Sequence, residues 1–369
     1  MDRGIMSDLK TKLYDTHISL GGHMVSFGGY LLPTHFSGIN HEHEIVRSKV
    51  GLFDVSHMGE FIISGNDALS FLQRVTVNDI ELLNVGQAQY SAMCYDDGGI
   101  IDDLIVYRQE DHYMMVVNAS NREKNIKWLE KNCEGNVHLE DISDDMGLIA
   151  VQGPRSREVL QMLTDNNLRS VEFYNFINGK INGYEAIISR TGYTGELGYE
   201  IYANTNFLVD LWNSILDAGS EYGIEPVGLG CRDTLRMEMK YPLYGNDIDE
   251  TTNPIESGLG WITRLGKQDF IGKNAIIEKK KKVERRLVCI EMTEKAIPRS
   301  GCQIYIDNEL VGRVTSGTMS PSLGKGIGIG YVNTPYTEAG IDIHVDIRGK
   351  MKKGVIIKPP FYKKGSLMY

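Results

Sequence analysis

No two of the five cysteines (Cys94, Cys133, Cys231, Cys289 and Cys302) stand in C-x-x-C spacing, and their number is odd. A disulfide framework or a structural zinc site is therefore not expected, and a reducing compartment is. The chain has no excess of positive charge: 39 Lys and Arg stand against 49 Asp and Glu, a formal net charge of −10. That excludes a general nucleic-acid or anionic-membrane binder, though it leaves room for a local basic pocket. No apolar run is long enough to span a bilayer. The N-terminal MDRGIMSDLKTKLYDTH lacks the apolar core of a signal peptide, and its aspartates are foreign to transit peptides. Met6 is expected as the natural start. There is no G-x-x-x-x-G-K-[ST] loop, so no nucleotide site is expected. Gly324–Gly330 alternates glycine inside an apolar pattern with no helix to follow, and reads as a tightly packed strand rather than a dinucleotide loop. His41-Glu42-His43 lacks the spacing of a zinc helix, and no metal is expected.

The chain does have length, 369 residues, and an ordinary balance of 41% hydrophobic and 24% charged residues. Two or three domains with ample core are expected. Its most informative stretch is Gly98-Gly99-Ile100-Ile101-Asp102-Asp103-Leu104-Ile105-Val106-Tyr107. A glycine pair leads into a β-branched run, which reads as a buried strand. Successive strand residues point to opposite faces, so Asp102 and Asp103 should not serve one site together. At least one carboxylate enters a desolvated environment and needs a specific partner.

Strands are expected at Gly59–Ser64, Tyr90–Cys94, Ile100–Tyr107 and Tyr113–Asn118, with a short helix at Ala68–Arg74 and another starting near Ser120. This mixture reads as α+β. Leu148–Val151 ends at Gln152-Gly153-Pro154, where Pro154 suits the first turn of a helix. Phe207, Leu208, Leu211, Trp212 and Ile215 define one apolar helix face closed by Gly219, and a further helix spans Leu229–Met239. Beyond Lys279–Lys282, which reads as a solvated face, short strands separated by glycine and proline turns predict a C-terminal β-barrel or sandwich.

Two constellations carry chemistry. The hairpin Arg190–Glu200 gathers two tyrosines, several glycines and a strand carboxylate. Aromatic rings beside glycines suit a flat heteroaromatic ligand, and a carboxylate can accept two parallel N–H bonds from an amino-pyrimidinone edge. A glycine-rich turn with a tyrosine cluster accounts for the same residues. Arg232, Arg236 and Lys240 share one helix face and could receive ligand carboxylates, or could pair with Asp233 and Glu238.

Together these segments resemble the T-protein family of the glycine cleavage system, from about Leu13 to Phe361. The matching pieces include FDVSHMGE at Phe53–Glu60, QYSAMC at Gln89–Cys94, GGIIDDLIVY at Gly98–Tyr107, VVNASN at Val116–Asn121 and QGPRS at Gln152–Ser156. They continue with RTGYTGELGYEIY at Arg190–Tyr202, GLGCRDTLRMEMKYPLYGND at Gly228–Asp247, NPIESGLGW at Asn253–Trp261, DFIGK at Asp269–Lys273 and GRVTSGTMSPSL at Gly312–Leu323.

The resemblance implies a three-domain cloverleaf around a central folate channel. Its expected divisions are a discontinuous folate-binding domain (1–52 and 146–252), an α+β domain (53–145) and a C-terminal β-barrel domain (253–369). It implies an aminomethyltransferase: the aminomethyl carbon on the lipoyl arm of H-protein passes to tetrahydrofolate, giving 5,10-methylenetetrahydrofolate, ammonia and dihydrolipoyl H-protein. Tetrahydrofolate is then a co-substrate, and the glycine decarboxylase (P) and dihydrolipoyl dehydrogenase (L) proteins are functional partners. The expected location is a bacterial cytoplasm, or a mitochondrial matrix after removal of a transit peptide. By position, Asp102 matches the catalytic aspartate, Glu200 the carboxylate holding the pterin, and Arg232 an arginine of the ligand site. Met58, Tyr90, Asn118, Tyr193 and Tyr241 match the pocket lining. The tail KPPFYKKGSLMY departs from the family, with Lys363 the nearest cationic replacement for a terminal contact. Asp103 is expected to be structural. Two relatives on the same fold are the alternatives: a folate-dependent demethylase, and a non-catalytic folate-binding protein of iron–sulfur assembly. The latter's K-G-C-x-x-G-Q-E signature is replaced here by Gly266–Lys273, without a cysteine.

Overall fold

The computed structural model describes residues 8–368; Met6, the expected start, lies outside the described residues. Two open sheets, a small three-stranded sheet and a closed barrel form the frame.

The first large sheet has six strands in the order Phe176–Ile181, Tyr184–Ser189, Gly198–Asn204, Met146–Gln152, Val50–Asp54 and Ile224–Pro226. Its outer face is covered by helices Ser156–Gln161 and Leu208–Gly219, whose Leu208, Leu211, Trp212 and Ile215 are fully buried against Ile149, Val151 and Ile201. The apolar stripe expected there thus becomes the seam of a helix-on-sheet layer. Phe207, placed on the same face from sequence, is 42% exposed and precedes the helix.

The second sheet has five strands in the order Ala88–Cys94, Ile100–Arg108, His112–Val117, Gly59–Ser64 and His138–Asp141. Helices Ala68–Val75 and Arg122–Lys131 cover one face through Phe71, Leu72 and Leu129. The other face packs on the first sheet, with Tyr107, Met114 and Val116 against Leu148, Ala150 and Tyr202. The site forms along this sheet-to-sheet seam.

The C-terminal strands close a six-stranded barrel, Arg285–Met292, Lys325–Asn333, Glu309–Ser320, Gln303–Ile306, Asp342–Ile347 and Lys350–Ile357. The alternating glycines at 326, 328 and 330 lie inside a barrel strand, and a Cβ at Gly326 would sit 1.9 Å from the Ala296 carbonyl. Strand packing, not phosphate binding, fixes them.

A buried polar lock joins the barrel to the first sheet. Glu238 accepts from Arg47 Nη2 (2.8 Å), Ser320 Oγ (2.5 Å) and Ser322 Oγ (2.9 Å), and Arg47 Nη1 also reaches Glu196 (2.8 Å). His43 (3.3 Å), then the Arg47 cation and the Ser320 hydroxyl, hold the Glu238 carboxyl down at about 2 despite its burial. The chain's end docks here: Ser366 donates to Glu196 Oε2 from both N (2.7 Å) and Oγ (2.5 Å).

Candidate active site

The two aspartates point to opposite faces, Asp102 with Leu104 and Val106 toward the helices and Asp103 with Ile105 and Tyr107 toward the seam between the sheets. Asp102 is fully buried on the side of helix Arg122–Lys131. It accepts from Asn118 N (3.1 Å), Asn118 Nδ2 (2.8 Å), Asn121 Nδ2 (2.6 Å) and Asn125 Nδ2 (2.6 Å). Its acceptor capacity is filled by the protein. Asp103 lies on the seam face, half-buried, and accepts from Tyr90 Oη (2.8 Å) and Asn118 Nδ2 (2.9 Å). The expectation that Asp102 is the aspartate turned toward the site is reversed in facing: Asp103 shares the seam side with Ile105 and Tyr107. Strand alternation separated the pair; which face looked inward depended on where the helix packs.

The expected isolation of the two carboxylates is also corrected, because the Asn118 amide touches both. Burial and the neighbouring Asp103 push the Asp102 carboxyl up to about 7, and burial raises Asp103 as well. Two carboxyls so close titrate as a pair.

Tyr90, Tyr174, Tyr193 and Tyr241 gather around Asp103. The Tyr193 and Tyr241 rings stack at 5.5 Å, and Tyr193 Oη donates to the Pro242 carbonyl. Burial raises all four phenols, and the Asp103 charge adds to the rise in Tyr90, Tyr174 and Tyr193. All four stay neutral donors at neutral pH. Met58 packs with Tyr174 on the same seam. Tyr174 escaped the sequence reading; its φ of 63° is a left-handed kink at a non-glycine residue, a signal only the structure gives.

Glu200 enters from the first sheet, 6% exposed, and accepts from Thr191 Oγ1 at 2.5 Å. Thr191 continues to Tyr107 Oη (3.3 Å), and Tyr107 to Tyr202 Oη (2.9 Å), an unbroken buried chain. Burial raises the Glu200 carboxyl, opposed by Thr191 and by the charge of Arg232. The Arg232 guanidinium lies 4.8 Å over the Tyr193 ring and has no hydrogen-bond or ion-pair partner among the described residues. Burial and the Arg232 charge hold the His57 imidazole down at about 4, hence neutral.

The hairpin glycines serve the protein rather than a ligand. A Cβ at Gly192 would meet Gln152 Oε1 at 2.2 Å, and one at Gly195 would meet Met239 Sδ at 2.4 Å. The leading pair behaves alike: Gly98 turns at φ 82°, and a Cβ on Gly99 would fall 2.1 Å from the Glu250 carbonyl. The basic helix stripe disperses. Arg232 faces the site, while Arg236 is spent on Asp247 (2.5 Å) and Asp233 (2.8 Å). Lys240 ends the helix in a left-handed turn. Lys363 is exposed. His41, Glu42 and His43 each have protein partners, in Glu225, backbone N–H groups and Thr234 respectively. Among the described residues no group of three or more His, Cys, Asp or Glu side chains is placed to hold a metal ion.

Two sequence families match this frame: the GCVT N-terminal domain over residues 13–267, and the glycine cleavage T-protein C-terminal barrel domain over 285–363. The chain is 46% identical over 359 residues to an aminomethyltransferase of Bacillus subtilis, covering 96% of this chain and 99% of the relative. It is 48% identical over 357 residues to that of Chloroherpeton thalassium, with the same coverage. The crystal structure of glycine cleavage system aminomethyltransferase T from Bartonella henselae superposes with a TM-score of 0.90 at 31% identity, covering 96% of this chain and 98% of the other. The chain belongs to the glycine cleavage T-protein family, and its class is that of the aminomethyltransferases.

Proposed function

We propose that the chain transfers the aminomethyl carbon of S-aminomethyldihydrolipoyl H-protein to tetrahydrofolate, in the cytoplasm of a bacterium and in concert with the P and L proteins. The carrying observation is one arrangement: a half-buried Asp103, held by Tyr90 and Asn118, stands among buried tyrosines, with the uncommitted Arg232 over the Tyr193 ring and its charge felt by Glu200. In this reading the three expected domains supply the walls of the channel.

The transferred carbon carries both a nitrogen and a sulfur. Each heteroatom leaves with one proton, and the two folate nitrogens, N5 and N10, each lose one. Ammonia and a free dihydrolipoyl thiol result, with no change of redox state. The demand on the protein is positioning, exclusion of water and a negative group beside the developing cation. Asp103 answers that demand. As an anion it accepts the folate N10–H, strengthens that nitrogen as a nucleophile and stabilises positive charge on the carbon. Asp102 acts through Asn118: when ionised, its charge raises the proton affinity of Asp103 and so its basicity. Glu200 takes the N–H edge of the pterin, Tyr193 and Tyr241 stack near the ring, and Arg232 receives a ligand carboxylate.

The test is to supply aminomethylated H-protein and tetrahydrofolate and to follow ammonia. Tetrahydrofolate binding without ammonia release favours the non-catalytic relative. Turnover of a methylated sulfur compound in its place favours the demethylase.

A further inference from the structure

Beyond the last barrel strand, Lys350–Ile357, the chain leaves the barrel and crosses to the hairpin that carries Tyr193. Phe361 is buried with Met237, Leu287 and Ile327, where the barrel meets helix Leu229–Met239. Tyr362 N donates to the Glu238 carbonyl (3.0 Å), and its ring lies 4.2 Å from the Arg47 guanidinium. Gly365 then passes so close to the hairpin that a Cβ would fall 2.2 Å from the Gly195 carbonyl oxygen. Ser366, 4% exposed, gives both its N–H and its hydroxyl to Glu196 Oε2 and accepts from Leu197 N (3.0 Å). The Leu367 carbonyl accepts from Arg190 Nη2 (3.3 Å).

Residues 365–367 therefore touch the hairpin on both sides of Tyr193, at Arg190 before it and at Gly195, Glu196 and Leu197 after it. The ladder joining the two legs stops at Ser189 and Glu200. Past that point Gly192, Gly195 and Gly198 leave the turn many backbone conformations, and side-chain contacts must choose among them. Arg47 and Gln152 hold Thr194 from one side, through its carbonyl (2.7 Å) and its hydroxyl (2.9 Å). The tail holds the turn from the other. Glu196 is the meeting point: 2% exposed, it takes Arg47 on Oε1 (2.8 Å) and Ser366 on Oε2. The same turn sets three groups of the site. Tyr193 lies within it, Thr191 donates to Glu200, and the Arg190 carbonyl accepts from Tyr174 N (3.1 Å).

We propose that Tyr362–Leu367 is a strap that holds the Tyr193 hairpin in the conformation that receives the pterin, with Ser366 and Glu196 as positioning residues. The inference rests on the folate reading above and specifies which part of the chain prepares that site. Lys363 and Lys364 are exposed, so the strap acts through its backbone and one hydroxyl rather than through its charges. A freed hairpin that spends about one-tenth of its time in the receiving conformation binds tetrahydrofolate about tenfold more weakly. Once bound, the ligand restores that conformation, and the chemical step keeps its rate.

The unaltered chain, a chain ending at Lys364 and the variant Ser366→Ala are compared by calorimetric titration with tetrahydrofolate and by ammonia release from aminomethylated H-protein. The shortened chain should show Kd and KM for tetrahydrofolate raised about tenfold, with kcat and the KM for H-protein unchanged. Ser366→Ala keeps the N–H bond to Glu196 and should raise both constants about threefold. Amide hydrogen exchange over residues 190–197 should quicken in both variants and return to the unaltered rate when tetrahydrofolate saturates them. A tail of purely structural use would lower the melting temperature and leave Kd and hairpin exchange as they were; that result overturns the strap, as does a fall in kcat at constant KM. Should the shortened chain fail to fold, Ser366→Ala decides by the same measurements. Equal Kd values in all three chains overturn the strap and leave the folate reading standing, whereas no binding by the unaltered chain overturns both.

Discussion

Exchanging the two aspartates for asparagine, one at a time, separates the reacting carboxylate from its support. Asp103→Asn keeps shape and size, and its new amide can still meet Tyr90 Oη and Asn118. It removes the anion beside N10, a loss of general-base and charge stabilisation worth roughly 10²- to 10⁴-fold in rate, or about 3–5 kcal/mol of barrier. Binding of tetrahydrofolate, dominated by Glu200 and the tyrosines, should change little. Asp102→Asn acts differently. Four N–H groups now converge on an amide, at least one of them left without an acceptor, and the fold loses about 1–3 kcal/mol. Its rate effect is smaller and takes the form of a shifted pH profile. The unaltered enzyme gains activity as pH rises through about 7, because the coupled pair must be fully ionised. Removing the Asp102 charge lets Asp103 ionise at lower pH, so the acid limb moves down. The assay is ammonia release from aminomethylated H-protein across pH 5.5–8.5, read beside thermal melts and folate titrations. An Asp103→Asn enzyme with near-normal turnover refutes the assignment. So does an Asp102→Asn enzyme that folds, binds folate, and is the more severely impaired of the two with its acid limb unmoved.

Other outcomes follow from the same contacts. Glu200→Gln should weaken tetrahydrofolate binding by roughly 10- to 150-fold through loss of a charged bond of about 1.5–3 kcal/mol, and an unchanged Kd contradicts the pterin-edge role. Glu60 is fully buried with both carboxylate oxygens unpartnered, and burial holds its carboxyl well above the ordinary value. A carboxyl raised on folding stabilises below its unfolded value and loses that stability as pH rises toward the folded one, about 1.4 kcal/mol per pH unit. Glu60→Gln should therefore flatten the decline of stability above about pH 4.5 in denaturant titrations; an unaltered slope contradicts a buried neutral Glu60. Trp212→Ala should cost about 3–5 kcal/mol, because the indole fills the seam between helix and sheet, and a loss under 1 kcal/mol in urea melts contradicts that packing.

The legible part of this fold was its periodicity. The helix Leu229–Met239 and the strand Gly59–Ser64 carry the bounds read from sequence, since their apolar spacing and turn residues agree. The first fifty residues gave no such pattern, though they form helix Ile39–Ser48, whose Arg47 ties Glu196 to Glu238. Lys279–Lys282, read as a solvated face, is exposed, and its first three residues end helix Lys273–Lys281. At the site, residue types were readable and directions were not. Alternation put Asp102 and Asp103 on opposite faces but could not say which face meets the other sheet; that is decided by Asn118, Asn121 and Asn125 closing on Asp102. Glycines that looked made for a ligand ring instead admit Gln152, Met239 and the Glu250 carbonyl. Close approach is visible in a sequence; what approaches is not.

The central claim is transfer of one carbon with release of one nitrogen. Its most direct test is a single-turnover reaction of the purified chain with stoichiometric aminomethylated H-protein and tetrahydrofolate, quantifying ammonia, 5,10-methylenetetrahydrofolate and free dihydrolipoyl thiols together. The account predicts the three products in equal amounts, with the yield collapsing in Asp103→Asn. Tetrahydrofolate bound at normal affinity, with neither ammonia nor methylenetetrahydrofolate formed, would contradict it.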